Sequence, residues 1–279
     1  MVMDEKVVRI IEPMLCSAGT VRDIERCEAE RARKGVGWWA EQKFDGVRAT
    51  IQNGRIYDRR GKDITVRFPE FKDVEKIMGF MDGEIVSKSG DFSEVAGRMH
   101  LRDKAKRRLL ARLSPCQFVY WWYGLPVWDD SRSQYGAAMW DWAKALSAKP
   151  SWLSRAEAGQ PLEMWLKAER EGWEGIILKC RVTYQSGVRS PGWIKVKRFV
   201  EVTHRFSKIE HTPTGVVLED EVGHRVAVNG SEAKSCKSDM EKKGYVDAQV
   251  QYLPQKESGA WRFPSFRGRV EEKDGKDNI

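Results

Sequence analysis

The sequence has neither paired cysteines nor internal repeats, and these absences exclude several classes of protein. None of its cysteines lies in a CxxC pair, so neither a disulfide framework nor a zinc site is predicted. Their odd number and scattered positions favour a reducing intracellular compartment instead. The five cysteines are Cys16, Cys27, Cys116, Cys180 and Cys236.

Long apolar segments are also absent. The longest run without charged or strongly polar side chains, residues 118–128, is too short to span a bilayer. Residues before Ile10 mix acidic and basic side chains and do not resemble a signal peptide. Coiled-coil heptads are missing, which makes a monomer the default expectation. We therefore expect a soluble, intracellular (cytoplasmic) and monomeric protein.

What the chain does have is an excess of positive charge in its first two-thirds. Apolar residues make up 41% of the 279 residues and charged residues 32%, as is typical of soluble globular proteins. Residues 1–200 contain 36 Lys and Arg against 27 Asp and Glu, whereas residues 201–279 contain 13 against 14. A positive field concentrated in this way indicates nucleic acid or a phosphorylated substrate as partner.

The local pattern predicts a succession of helices and strands over residues 1–199. Thr20 and Asp23 fit the capping box of a helix that reaches about Lys34, with Gly35 as its stop. Further helices are predicted as a short amphipathic segment beginning at Pro69, at 134–148, and at 161–171, where Pro161 is the first residue. Strands are predicted at 37–43, on both sides of Asn53-Gly54, and at 80–87, 118–123, 175–179 and 192–197.

Beyond about residue 200 the pattern changes to short β segments. They are predicted at 202–210, 214–219, 223–229 and 245–253, with one helix at 232–243 before Gly244. Short strands with one helix in so few residues predict an OB-fold domain over residues 200–279. A small β-sandwich would give similar signals.

The segment Lys43-Phe44-Asp45-Gly46-Val47-Arg48 carries the strongest chemical signal. A lysine beside a glycine turn can attack a phosphate group that a neighbouring arginine orients. The attacking amine must be unprotonated, so its pKa has to be lowered by burial or by nearby cations. We therefore expect further lysines close to Lys43.

Several charged residues on other predicted strands meet this requirement. Lys195 and Lys197 alternate along one strand and project from the same face as Trp193. Lys179 ends the strand that follows Glu174-Gly175. Glu84 supplies a second carboxylate, suited to a ribose hydroxyl or a metal ion. Any single one of these groups is equally compatible with an ordinary solvated strand charge.

Taken in order, five segments resemble the nucleotidyltransferase motifs of ATP-dependent DNA ligases. The segments are KFDGVR, DRRGK, MDGEIV, EGIILK and WIKVK, and they span residues 41–198. The chain resembles in particular the small bacteriophage ligases, through Gly90-Asp91-Phe92 and a C-terminal RxPSF segment that begins at Arg262. The resemblance implies an α+β fold, with a nucleotidyltransferase (adenylation) domain of antiparallel sheets with helices over residues 1–199, followed by a small β OB-fold domain over residues 200–279.

The resemblance also implies a role for each matching residue. Lys43 would be the nucleophile that becomes adenylylated. The residues implied to bind the nucleotide are Arg48, Arg59, Glu84, Trp122, Lys179, Lys195 and Lys197. Trp122 is chosen over Tyr123 as the aromatic that stacks on adenine. Glu174, together with Glu84, would hold Mg²⁺ or Mn²⁺. Arg262, chosen over Arg267, Arg269 and Lys273 because it begins the RxPSF segment, would orient the pyrophosphate.

One feature departs from the family pattern. The family often has Ser before the arginine matched to Arg59, whereas this chain has Asp58, a carboxylate that would weaken phosphate attraction.

Residues 98–112 carry seven Lys and Arg and one Asp. A helix there, with Leu109 and Leu110 packed inward, would present a cationic face to the DNA backbone. Its predicted DNA contacts are Arg98, Arg102, Lys104, Lys106, Arg107 and Arg108.

The function implied by the resemblance is the sealing of nicks in duplex DNA with ATP. Lys43 would form lysyl-AMP, AMP would pass to the 5′-phosphate, and the 3′-hydroxyl would then close the strand. The rivals are an RNA ligase, a GTP-using mRNA-capping guanylyltransferase, and a noncatalytic DNA-binding module that retains the fold. A pure binder would have no need of a nucleophile beside paired carboxylates and lysines.

Overall fold

The computed structural model describes residues 10–34, 37–77, 79–120, 150–180, 182, 184–254 and 261–270. It divides into two compact units, Met1–Lys197 and Arg198–Ile279. Within the described residues, no helix combines the length and apolar character needed to cross a membrane.

The first unit contains a five-stranded sheet that carries most of the candidate residues. The strands are β1 (Leu15–Gly19), β2 (Trp39–Lys43), β8 (Ala158–Gly159), β9 (Gly175–Lys179) and β10 (Arg189–Lys197). Their spatial order is β1-β10-β9-β2-β8, and only the β1–β10 edge pair is parallel.

Two helices cover one face of this sheet. Helix α1 (Val21–Lys34) begins with the predicted capping box, in which Asp23 accepts a hydrogen bond from the backbone N–H of Thr20 at 2.8 Å. Helix α4 (Pro161–Glu171) begins at proline and ends at Gly172, which has a positive φ. Their apolar side chains form one core with Ala40, Ile176, Leu178, Ile194 and Val196 of the sheet. Since side chains alternate along a strand, the opposite face is left for Lys43, Lys195 and Lys197.

A second five-stranded sheet has the order β4-β3-β5-β6-β7, with only β6–β7 parallel. The predicted hairpin turn is confirmed, because Asn53 and Gly54 both have positive φ, as a type I′ turn requires. The strands are β3 (Val47–Gln52), β4 (Arg55–Asp58), β5 (Phe80–Ser87), β6 (Cys116–Tyr120) and β7 (Leu153–Arg155).

Two predicted helices are wrong. Pro69 opens no helix: residues 69–73 form turns and only a single 3-10 turn, Val74–Lys76, follows, although Phe71, Val74 and Ile77 are buried as expected. The basic stretch is two helices, α2 (Phe92–His100) and α3 (Lys104–Leu113). The Asp103 side chain accepts hydrogen bonds from the backbone of Ala105 and Lys106, so it starts a new helix in mid-stretch.

The second unit has six strands and one helix among its described residues. Two three-stranded antiparallel sheets, β11-β15-β16 and β12-β13-β14, enclose a core that includes Phe206, Leu218 and Val250. The predicted segment 202–210 is two strands, because pairing changes sheets at Ser207. The elements are β11 (Val200–Phe206), β12 (Lys208–Thr212), β13 (Gly215–Glu219), β14 (Arg225–Asn229), α5 (Gly230–Lys243), β15 (Val246–Pro254) and β16 (Trp261–Arg269).

Candidate active site

Three neighbouring strands of the first sheet bring the predicted nucleophile and phosphate ligands together. In the strand register, Gly175 of β9 lies between Lys43 of β2 and Lys197 of β10. A Cβ atom on Gly175 would lie 2.0 Å from the carbonyl oxygen of Val196, so the strands can approach this closely only at glycine. The two lysines therefore flank a position without a side chain.

Glu174 connects these two lysines. Its Oε2 accepts a hydrogen bond from Lys43 Nζ at 2.5 Å, and its Oε1 lies 3.2 Å from Lys197 Nζ. The side chains of Lys43, Glu174 and Lys197 are 17%, 9% and 23% exposed, so the group is sheltered yet open to a ligand. Each carboxylate oxygen thus holds one ammonium group in place.

Lys195 lies on the same face as Lys197. Burial lowers its pKa, and the neighbouring ammonium groups of Lys197 and Lys43 lower it further. This mutual influence indicates a cluster of cations within electrostatic reach of Lys43, as the chemistry of an attacking amine requires.

Lys179 lies on that face too, but deeper. It is fully buried and forms an ion pair of 2.9 Å with Glu41, which is also fully buried. Its Nζ is 4.1 Å from the centre of the Trp193 ring, a cation–π distance. The carboxylate beside Lys179 is therefore Glu41 and not Glu174, and the pair forms the floor of the site.

The second sheet contributes Arg48 and Glu84, which are directly opposite each other on β3 and β5. Burial raises the pKa of Glu84 to about 7; Arg48 and Lys43 oppose that shift, and Glu174 and Asp82 add to it. These influences indicate that Glu84 lies near both Lys43 and Glu174, although it belongs to a different sheet. Apolar contacts of Val86 and Val119 with Ile177 join the same two faces.

Arg48 is held by a network that includes two residues not predicted from the sequence. Its guanidinium donates to Asp82 at 2.7 Å, and the Tyr184 hydroxyl donates to the same carboxylate oxygen at 2.9 Å. Asp82 alternates with Glu84 along β5, as Glu41 does with Lys43 along β2. Strand periodicity was therefore the signal that could have identified Asp82 and Glu41.

The remaining predicted site residues are Arg59, Arg262 and an aromatic residue, Trp122 or Tyr123. Arg59 is exposed in the turn after β4, and Asp58 accepts hydrogen bonds there from the backbone N–H groups of Arg60 and Lys62. The Asp58 carboxylate is thus engaged in shaping the turn. Arg262 lies on β16 in the second unit. Trp122, Tyr123 and the helix predicted at 134–148 are outside the described residues.

The cationic face differs from the prediction at two positions. Arg98 is 1% exposed, pairs with Glu70, and donates to the carbonyl oxygens of Leu110 and Ser114, so it cannot contact DNA. Leu109, expected inside, is 54% exposed. The remaining predicted contacts are exposed or half-buried at the surface: Arg102, Lys104, Lys106, Arg107 and Arg108.

The carboxylates suit a divalent cation. Glu84 and Glu174 influence each other electrostatically, and carboxylate oxygens are the ligands that Mg²⁺ prefers. The donor set therefore fits the predicted metal.

Comparisons with known proteins agree with the motif resemblance, although no family model matches the chain. A protein described as a probable DNA ligase from Beutenbergia cavernae is 28% identical over 210 residues, which cover 68% of this chain and 39% of that protein. The SPbeta prophage-derived DNA ligase-like protein LigB of Bacillus subtilis is 26% identical over 175 residues, covering 56% of this chain and 59% of LigB. The chain thus spans about two-fifths to three-fifths of the length of these relatives.

Solved structures share the fold. A Lig E DNA ligase, described as binding DNA with a minimal scaffold, superposes with a TM-score of 0.64 at 15% identity, covering 94% of this chain and all of that one. A mycobacterial DNA ligase D complexed with ATP gives 0.50 at 22% identity, covering 94% and 96%. The chain is therefore similar in sequence to proteins described as DNA ligases and shares the nucleotidyltransferase and OB folds of solved ligase structures.

Proposed function

We propose that the chain is an ATP-dependent DNA ligase that seals nicks in duplex DNA through an adenylate carried on Lys43. One observation carries the proposal: the Lys43 amine is fixed by Glu174, beside Lys197 and within electrostatic reach of Lys195 and Glu84. A nucleophilic amine, two phosphate ligands and two carboxylates are the groups that nucleotidyl transfer needs.

In the first step, Lys43 Nζ attacks the α-phosphorus of ATP. A phosphorus–nitrogen bond forms, the bond to the bridging oxygen of the β-phosphate breaks, and pyrophosphate leaves with the electron pair. The amine must give up its proton, and Glu174 Oε2 at 2.5 Å is placed to receive it. Lys195 and Lys197 stabilise the negative charge that builds on the α-phosphate oxygens.

In the following steps, AMP passes from Lys43 to the 5′-phosphate at the nick, and the 3′-hydroxyl then displaces AMP. Glu84 would hold the ribose or the metal ion, Arg48 and Arg59 the nucleotide and 5′-phosphate, and Arg262 the pyrophosphate. Mg²⁺, bound by Glu174 and Glu84, would offset phosphate charge. We propose that the protein acts as a monomer on DNA inside the cell, with the second unit repositioning between nucleotide loading and DNA clamping.

The test is covalent labelling with Mg²⁺ and α-labelled ATP or GTP. We expect acid-labile label from ATP, none from GTP, none after chelation of the metal with EDTA, and none in Lys43→Ala. Lys62→Ala, which removes an exposed lysine from a turn of the same unit, is the matched control and should label normally. Label from GTP alone would contradict the ligase assignment and favour a capping guanylyltransferase. Absence of label from both nucleotides would favour a noncatalytic DNA-binding module.

Nick sealing then separates DNA from RNA ligation. A nicked DNA duplex and a matched duplex with an RNA strand at the nick are compared at equal enzyme concentration. Faster sealing of the all-DNA nick supports the proposal, and exclusive sealing of RNA would contradict it.

A further inference from the structure

The second unit contains a cluster of possible metal ligands that the proposed ligation chemistry does not use. His204 Nε2 and His224 Nδ1 each lie 2.7 Å from the same oxygen, Oδ2, of Asp220. The three ligand atoms all lie within 4.8 Å of one another. Among the described residues, this is the one group of at least three His, Cys, Asp or Glu side chains close enough together to hold a metal ion.

The cluster joins two separate parts of the unit. His204 is in the middle of β11, whereas Asp220 and His224 are at the two ends of the turn between β13 and β14. The turn closes through a hydrogen bond from the Asp220 N–H to the His224 carbonyl at 3.1 Å, and Gly223 supplies a residue with positive φ. The fold therefore presents three ligands from two elements, with His204 16 positions before Asp220 in the chain.

The orientation of each ligand is fixed by neighbouring groups. Asp220 Oδ1 accepts the backbone N–H groups of Val222 and His224 at 2.9 and 2.8 Å, which directs Oδ2 toward the imidazoles. The Trp261 ring stacks on His224 at 4.4 Å and meets His204 edge-on at 4.9 Å. Metal-binding side chains are commonly held in this way by hydrogen bonds and packing outside the ligand shell.

The exposure of the three side chains is compatible with a bound ion, and so is the spacing of their ligand atoms once the imidazoles move. Asp220 is nearly buried, at 5%, whereas His204 and His224 are 31% and 24% exposed, so one side of the cluster opens to solvent. In a tetrahedral zinc site, two ligand atoms about 2.1 Å from the ion lie roughly 3.4 Å apart. The 2.7 Å separations from Asp220 Oδ2 are about 0.7 Å shorter than this value, so ion binding requires both imidazoles to move away from the carboxylate.

We propose that His204, Asp220 and His224 bind one divalent transition-metal ion, Zn²⁺ being the best match, with the remaining position open to water. Two imidazoles and one carboxylate favour Zn²⁺ and its neighbours over Mg²⁺, which prefers oxygen ligands alone. The ion links β11 to the β13–β14 turn and stabilises the second unit. This site is separate in composition from the carboxylates of the first unit.

The test uses the full chain, freed of metal by a chelator and titrated with ZnCl₂ by calorimetry in the presence of excess Mg²⁺. We expect one Zn²⁺ per chain, and an increase of roughly 5 °C or more in the midpoint of thermal unfolding at saturation. His204→Gln should weaken Zn²⁺ binding at least tenfold, because glutamine keeps a hydrogen bond to Asp220 but lacks the imidazole. His211→Gln, which changes an exposed histidine of the same unit, is the matched control and should bind normally.

Cobalt substitution identifies the ligands independently. Co²⁺ in the site should give the visible bands of a four-coordinate nitrogen and oxygen environment without the near-ultraviolet band of a cobalt–thiolate bond. Asp220→Asn, which retains an oxygen for the two backbone N–H groups, provides a second variant with reduced affinity. Absence of stoichiometric Zn²⁺ binding, equal affinity of His204→Gln and His211→Gln, or a thiolate band would each overturn the proposal.

Discussion

Lys43 and Glu174 are 131 positions apart in the chain, yet their charged groups are 2.5 Å apart in the structure. Their proximity results from β2 and β9 pairing side by side, with Lys43 opposite Gly175. The same carboxylate also holds Lys197. Glu174 thus keeps Lys43, the proposed nucleophile, and Lys197, a proposed phosphate ligand, in a fixed relation.

Replacing Glu174 by glutamine should slow the labelling of Lys43 by about 10²–10⁴-fold, because the amide keeps the size of the side chain but cannot take a proton. The rate is measured in single-turnover reactions with α-labelled ATP. Glu171→Gln, an exposed position on the preceding helix, should leave the rate unchanged. Equal rates for both variants would show that Glu174 takes no part in the labelling reaction.

Removing the charge of Lys197 should also impair labelling. Lys197→Met retains the aliphatic stem but loses the ammonium that we propose binds the α-phosphate, and we expect a decrease of about 10²–10³-fold. The comparison is Lys208→Met, an exposed lysine paired with Glu219 in the second unit, which should label at the normal rate. A normal rate in Lys197→Met would contradict the assignment of this lysine to phosphate binding.

The buried pair Lys179–Glu41 should matter mainly for stability. Lys179→Met leaves the Glu41 carboxylate buried without its partner, which costs about 3–5 kcal/mol in the free energy of unfolding. Urea unfolding followed by tryptophan fluorescence measures this loss. The double variant Lys179→Met, Glu41→Leu should regain most of it, and failure to recover would show that the pair has a role beyond mutual neutralisation.

Substitution of Arg98 should lower stability, whereas substitution of Arg108 should affect DNA binding. Arg98→Ala removes a buried group that joins α2 to Glu70 and to the end of α3, with an expected cost of about 3–5 kcal/mol. Arg108→Ala, at an exposed position on α3, should change stability by less than about 0.5 kcal/mol.

The DNA-binding part of this comparison uses salt dependence. If Arg108 contacts a phosphate, its loss reduces the slope of log affinity against log salt by roughly one, uniformly across DNA sequences. Binding to a nicked duplex is measured at several salt concentrations. An unchanged slope would mean that α3 does not contact the DNA backbone.

The sequence was most informative where structure depends on local signals. The capping box of α1, the Asn53-Gly54 turn and the proline at the start of α4 were all predicted, because neighbouring residues determine each of them. Three strands of the first sheet, β2, β9 and β10, were predicted, and alternation along β10 placed Lys195 and Lys197 on one face; β1 and β8 were not predicted. The fold class was predicted from the motif resemblance and is confirmed by the shared fold.

Errors occurred where tertiary contacts decide the outcome. Glu70, 28 positions from Arg98, draws that arginine into the interior, whereas the Asp103 cap that starts a second helix is a local signal that the prediction missed. The turns after Pro69 bury Phe71 against other aromatic rings instead of completing a helix. Glu41 and Lys179 form an ion pair although they are 138 positions apart in the chain, and no local pattern specifies such a partner.

Gly175 limits how far the strands that carry the site can be moved apart by substitution. Because its missing side chain lets β10 pass within contact distance of β9, even one added methyl group would have to push the carbonyl of Val196 away. The displacement would widen the gap that Glu174 spans between Lys43 and Lys197. Random variation of this chain should therefore accept many changes among the exposed lysines, yet reject alanine at Gly175, where the strands leave no room for a side chain.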